Sequence, residues 1–276
     1  MKKTLYAVLI VVLLAVFGVS AFFVGRYMLD SYNQDKLSQK LTDIKAEATT
    51  PVTPETKPVS DASEPAQQTE DLPEEPTVSP TTPDGILTEY AGLYEYNPDM
   101  VGWIKIEGTR IDNPVVQSPD RPNYYLDRAF DGSSNRNGAI YVREECDVDL
   151  PSDNVTIYGH NMATGKMFAD LHKYDDEAFW EENRLIIFDT LKERHVYEIF
   201  AVFKTLANVG EGFSYHQFVD AANEEEFDTF VATCKKLAEY DTGITPVYGD
   251  KLICLSTCEY SLGDNSRLVV AAVRIS

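Results

Sequence analysis

From about residue 84 onward the chain predicts a mostly β fold with peripheral helices, and three observations carry that reading. Short runs rich in β-branched and aromatic residues recur between residues 101 and 275, each bounded by Gly, Asn, Asp or Pro. Few stretches keep their apolar residues at the three- and four-residue spacing of a helix. The last two apolar runs, Lys251 to Thr257 and Arg267 to Ile275, flank a polar loop long enough to let them pair antiparallel. Many short strands with few helices make a mixed, mostly antiparallel barrel or sandwich.

Taken in order, the chain opens on an apolar stretch. Leu5 to Gly25 carries no charge, with Lys2 and Lys3 before it and Arg26 after. As a helix it is ~31 Å long, enough to span a hydrocarbon core. Val19-Ser20-Ala21 could serve as a signal-peptide cleavage site, but the apolar region is longer than such peptides carry. An uncleaved anchor is the expectation, with residues 1–4 cytoplasmic, 5–25 spanning, and the rest outside. Residues 26–83 read as a frayed juxtamembrane segment followed by a stalk. Thr49 to Pro83 holds eight of the fourteen prolines among Thr, Ser, Glu and Asp, a composition that cannot bury enough surface to fold. Extended, it would reach on the order of 100 Å.

Residues 84–276 should form one domain, opened by a short amphipathic helix across Gly85 to Tyr96. Strands are expected at Val101 to Ile106, Arg110 to Val116, Ala139 to Val142, Asn154 to Tyr158, Arg184 to Thr190 and His195 to Phe203, followed by the final two. Met167 to Tyr174 and Glu177 to Asn183 look helical, and Phe218 to Tyr240 is the longest helical candidate. Of the net charge of −21, −17 falls within this domain, which excludes DNA and RNA as partners because phosphate neutralisation needs basic residues.

The four cysteines, Cys146, Cys234, Cys254 and Cys258, lack the spacing of a metal site, so no metal or other cofactor is expected. Cys254 and Cys258 lie four apart on one strand, ~13 Å between Cα atoms, too far to bridge. Cys234 and Cys254 read as small buried hydrophobes and Cys146 as a solvated thiol in an acidic loop. Cys258 differs by position. It ends its strand where Arg267 opens the next, and a thiol beside a fixed cation favours the thiolate. Among the histidines, His172 and His195 read as packing or surface residues and His216 lies in an irregular loop. His160 follows a strand that breaks at Gly159. From there it can reach across a sheet edge or simply bond to backbone. Papain-like and caspase-like arrangements both fit badly, the first by order and the second by its missing signature.

Tyr-Gly-His160-Asn, Leu-Ser-Thr-Cys258-Glu and Arg267-Leu-Val-Val together resemble the sortase family, the membrane-anchored transpeptidases of Gram-positive surfaces. The family's T-L-x-T-C appears here with Cys254 in place of the first Thr. The N-terminal helix before Val101-Gly-Trp-Ile, the Gly108 to Gln117 stretch, and a long helix between the sixth and seventh strands are similar to class B in particular. The resemblance implies a closed β-barrel of about eight strands. It also implies Cys258 as nucleophile, His160 as general acid and base, and Arg267 as the cation steadying the oxyanion or the substrate backbone. By position, the backbone N–H of Glu259 is a candidate second oxyanion donor. The implied partners are secreted proteins bearing a C-terminal sorting motif, an amine of the peptidoglycan cross-bridge or its precursor, and the membrane. Alternatives are a pilin-polymerising or mainly hydrolytic enzyme, or a non-catalytic stalked binding protein. Asp264 and Glu259 flank the site in sequence but have no positional claim to a triad role. With ordinary values of ~8.5 for Cys and ~6.5 for His, the thiolate–imidazolium pair is disfavoured about a hundredfold, or ~2.7 kcal/mol, so slow turnover is expected.

Overall fold

The computed structural model describes residues 2–49, 80–207, 210–263 and 265–276. Asp264 and most of the proline-rich segment, residues 50–79, lie outside the described residues. Eight strands close into a barrel. They are β1 (Met100–Lys105), β2 (Asp112–Val116), β3 (Ile140–Val142), β4 (Asn154–Tyr158), β5 (Leu185–Thr190), β6 (Val196–Leu206), β7 (Leu252–Cys258) and β8 (Ser266–Arg274). Their order around the barrel is β1-β2-β3-β4-β7-β8-β6-β5, with β5 pairing back to β1. The β2–β3 and β4–β7 pairs are parallel and the rest antiparallel. Closure leaves no free sheet edge. The interior is filled by one parity of each strand: Val155 and Ile157 from β4, Ile253 and Leu255 from β7, Leu268 and Val270 from β8. The opposite parity faces outward and builds everything functional.

Part of that outer face is covered by α4 (Glu224–Leu237), which connects β6 to β7. Its apolar stripe of Phe227, Phe230, Val231 and Cys234 packs on Phe203, Cys254, Val269 and Ala271. Asn223 caps its first turn, accepting from the Glu226 amide at 3.1 Å, while Glu226 Oε2 accepts from the Ala222 amide at 2.9 Å. Acids in the first turn and lysines in the last complement the helix dipole. The helix is shorter than the periodicity predicts. Its C-terminal flank leaves the helical path to pair with β6, where the Glu239 amide bonds to the Val202 carbonyl at 2.8 Å. The expected helix at 167–174 is a 3-10 segment, Ala169–Asp175, and α3 (Glu177–Glu182) follows it.

The N-terminal half corrects one expectation. Helix α1 (Lys2–Thr49) does not end at the apolar stretch; it runs on, and its second half is docked on the barrel. Asp30, Gln34, Leu37 and Leu41 are buried, and Ile44 packs with them against α2 (Thr88–Tyr96) and Trp103. Lys166 Nζ fixes the other side, bonding to the Ser31 carbonyl at 2.7 Å and Asp35 at 2.8 Å. Lys45 stacks over Trp103 at 4.0 Å. Residues 30–48 therefore belong to the folded unit and are not a frayed lead into a stalk. A narrow stripe at 30, 34, 37, 41 and 44, one residue per turn, is sufficient once a complementary apolar wall exists. Upstream, the same helix is apolar enough to cross a membrane, and none of that window is buried.

All four cysteines are free. Cys146 is not solvated as expected: it is 5% exposed, its Sγ contacts the Asn154 carbonyl at 3.6 Å, and burial pushes its pKa up to about 11.

Candidate active site

The outward parity of four neighbouring strands converges on one cleft. Tyr141 comes from β3, Tyr158 from β4, Ser256 and Cys258 from β7, and Arg267 from β8. Cys258 and Arg267 are direct cross-strand partners, as the sequence predicts. Gly159 lets the chain turn off β4, but close approach and not left-handed backbone explains the glycine. A Cβ there would lie 2.7 Å from the Phe168 ring. His160 then swings into the cleft, which encloses about 290 Å³.

His160 Nε2 lies 2.7 Å from the Leu126 carbonyl oxygen. A carbonyl only accepts, so Nε2 carries a proton and the neutral ring keeps its lone pair on Nδ1. The Cys258 thiol and the ring line the same cleft and act on each other's titration. The neighbouring imidazole lowers the thiol pKa; burial opposes it, and the charge of Arg267 and the Tyr260 hydroxyl assist. The thiol in turn raises the His160 pKa, against burial, with help from the Leu126 carbonyl and an opposing push from Arg267. The two groups are moved toward each other, so the ion pair is less disfavoured than ordinary values imply.

Three of the four sequence-predicted site groups therefore meet. The fourth does not. The Glu259 amide donates to the Ser266 carbonyl at 3.0 Å and is consumed by the hairpin. The Arg267 guanidinium shares that carbonyl through Nη1 at 2.9 Å. The Glu259 carboxylate is turned into the loop, accepting from the Ser261 amide at 2.8 Å and hydroxyl at 2.7 Å. It braces the β7–β8 connection, and the Glu259 amide, already bonded, is not a free oxyanion donor as its position in sequence suggests.

Sequence reasoning missed several neighbours. The Leu126 carbonyl is backbone and leaves no residue-type signal. Tyr158 and Tyr141 flank the cleft, and Tyr215 closes its floor by a 2.6 Å hydrogen bond to Ser256. Strand alternation puts positions 158 and 160 on one face, a signal that could have flagged the tyrosine. His172, read as a packing or surface residue, lies 3.2 Å from the Cys258 carbonyl oxygen. No group of acidic, His and Cys side chains suited to a metal occurs among the described residues.

A half-buried thiol, an imidazole with a fixed tautomer and a guanidinium at one cleft on the outside of a closed barrel define a cysteine enzyme of acyl transfer. Residues 104–275 match the sortase domain model, and the chain belongs to the sortase family. Within it the chain is class B, and it is a cysteine transpeptidase. It is 32% identical to sortase B of Listeria monocytogenes over 174 residues, 63% of this chain and 68% of that protein. It is 25% identical to sortase B of Staphylococcus aureus over 190 residues, 69% of this chain and 75% of that one. A crystal structure of sortase B from B. anthracis in complex with AAEK1 superposes with a TM-score of 0.68 at 28% identity, covering 90% of this chain and 99% of the other.

Proposed function

We propose that Cys258, His160 and Arg267 cleave a C-terminal sorting motif of secreted proteins after its Thr and pass the acyl group to an amine of the cell wall. The Cys258 thiolate attacks the Thr carbonyl carbon, and the developing oxyanion is met by the Arg267 guanidinium. His160, as imidazolium, protonates the leaving amine from Nδ1 while Nε2–H stays on the Leu126 carbonyl. The resulting thioester is attacked by the acceptor amine, whose proton returns to His160. Tyr141, Tyr158 and the Ser256–Tyr215 pair offer an extended peptide an aromatic wall and polar floor.

One observation carries this reading: Cys258, His160 and Arg267 line one cleft, with the imidazole tautomer fixed by a backbone carbonyl. The apolar half of α1 supports a single-pass anchor, N-terminus cytoplasmic, with the barrel outside. Fluorogenic sorting-peptide cleavage with wild type, Cys258→Ala and Arg267→Ala tests it, together with intact-mass detection of a thioacyl adduct on wild type. Undiminished cleavage by Cys258→Ala would remove the nucleophile assignment.

A further inference from the structure

Strand β4 and strand β7 run parallel, and their ladder reaches the active site with the Gly159 amide donating to the Ser256 carbonyl at 3.1 Å. The next rung would bring the amide of residue 161 to the carbonyl of residue 258. His160 has to leave the strand to enter the cleft, so that rung is lost to the backbone: the chain turns and the His160 carbonyl accepts from the Phe168 amide at 3.0 Å. The missing donor is supplied by a side chain. Asn161 Nδ2 donates to the Cys258 carbonyl at 3.1 Å, in the place the main-chain amide would have taken.

A second group stands on the same oxygen. His172 Nε2 lies 3.2 Å from the Cys258 carbonyl oxygen and 3.0 Å from Asn161 Nδ2. Its Nδ1 faces Asp175 Oδ2 at 3.4 Å, and Asp175 Oδ1 is held by Lys204 Nζ of β6 at 2.9 Å. With the ring proton on Nδ1, toward Asp175, Nε2 accepts from Asn161 and steers its amide. In the imidazolium, Nε2–H donates to the carbonyl directly. Either state leaves the Cys258 carbonyl held from the side opposite Arg267.

We propose that Asn161 and His172 are positioning residues that pin the end of β7, so that the Cys258 thiol stays within reach of His160. The chain from Lys204 through Asp175 ties this pin to the barrel wall. The inference rests on Cys258 being the nucleophile, yet it can be read without substrate.

The experiment compares full-length wild type, Asn161→Ala, His172→Ala and His172→Gln by steady-state peptide cleavage and by the pH dependence of Cys258 alkylation with iodoacetamide. Asn161→Ala and His172→Ala are expected to lose about tenfold or more in kcat with KM within about twofold, as a small misplacement of the nucleophile does. Their alkylation profiles should move to higher pH. His172→Gln, which keeps an N–H donor and a carbonyl acceptor, should recover most of the loss. Unchanged kcat and alkylation in Asn161→Ala would overturn the proposal, as would a His172→Ala defect that His172→Gln does not relieve. Should Asn161→Ala fail to fold, the His172 pair decides alone. Shifted alkylation in a protein that cleaves no sorting peptide would sink the functional reading and sustain this one.

Discussion

Arg267 acts on both members of the Cys258–His160 pair, and its two effects differ in use. Its charge lowers the thiol pKa, which favours the nucleophile, and also lowers the imidazole pKa, which disfavours the acid. Cleavage should rise with pH as Cys258 ionises, below the ordinary thiol range, and fall as His160 loses its proton, above the ordinary histidine value. Removing the guanidinium raises both pKa values. In Arg267→Ala, therefore, both limbs of the kcat/KM profile should move to higher pH, and its maximum should drop about 10²–10³-fold for the lost oxyanion donor. A profile of unchanged position and lower height would mean that Arg267 binds charge only in the transition state. At this scale the sequence was informative where residue type carries the chemistry. Position put Cys258 and Arg267 at facing strand ends and left His160 open between the cleft and a backbone bond; the roles of all three came from the family resemblance. The sequence was silent on Leu126, whose contribution is a carbonyl, and misleading on Glu259, whose amide is spent in the hairpin.

The segment from Gly159 to Asp176 holds His160, Asn161 and His172, and the Arg110–Asp170 ion pair fastens it to the β1–β2 connection, with Lys173 Nζ also donating to the Gly108 carbonyl at 2.8 Å. Asp170 accepts from the Arg110 amide at 2.9 Å, Nε at 3.1 Å and Nη2 at 2.5 Å, and its side chain is 5% exposed. These donors hold its pKa at about 2. The pKa is depressed on folding, so the stabilisation is complete above the unfolded value of ~3.9 and disappears as pH falls through about 2. Asp170→Asn should lower stability by about 1–3 kcal/mol at neutral pH, or roughly 3–8 °C in Tm. Urea midpoints should show that gap closing between about pH 4 and pH 2. A gap that persisted at pH 2 would locate the loss in packing. Gly138 constrains the opposite wall: at φ +61°, a Cβ would lie 2.7 Å from the Leu126 oxygen and 3.1 Å from His160 Cδ2. Gly138→Ala should therefore depress kcat about tenfold or more in peptide cleavage, by moving the carbonyl that orients the ring. Element types and order were legible from period and punctuation. The two parallel pairings were not, because parallel register is set by distant segments and leaves no turn between the strands.

At the scale of the molecule, the position of the cleft relative to a bilayer depends on which segment connects the two. The reading from composition gave that role to the proline-rich stretch, with the polar residues after Arg26 only a frayed lead into it. The docking of Leu37, Leu41 and Ile44 against Leu87, Tyr90 and Trp103 changes the connectivity. Both ends of residues 50–79 now join parts of one folded unit, α1 on one side and the Thr81–Leu87 bridge with α2 on the other. If the apolar half of α1 spans the membrane, only Arg26 to Asp30 separates the bilayer from the first docked residue, ~6 Å along a helix. Removing twenty residues from within 50–79 should then leave the bilayer-to-cleft distance unchanged, measured by energy transfer from a dye on Cys258 to labelled lipid. A stalk would shorten by up to ~60 Å. Leu41→Asp, which puts a charge where a 3% exposed leucine packs, should do the opposite. It releases the docked helix, lengthens the tether and spreads the distance distribution. Contraction on deletion, with no response to Leu41→Asp, would restore the stalk.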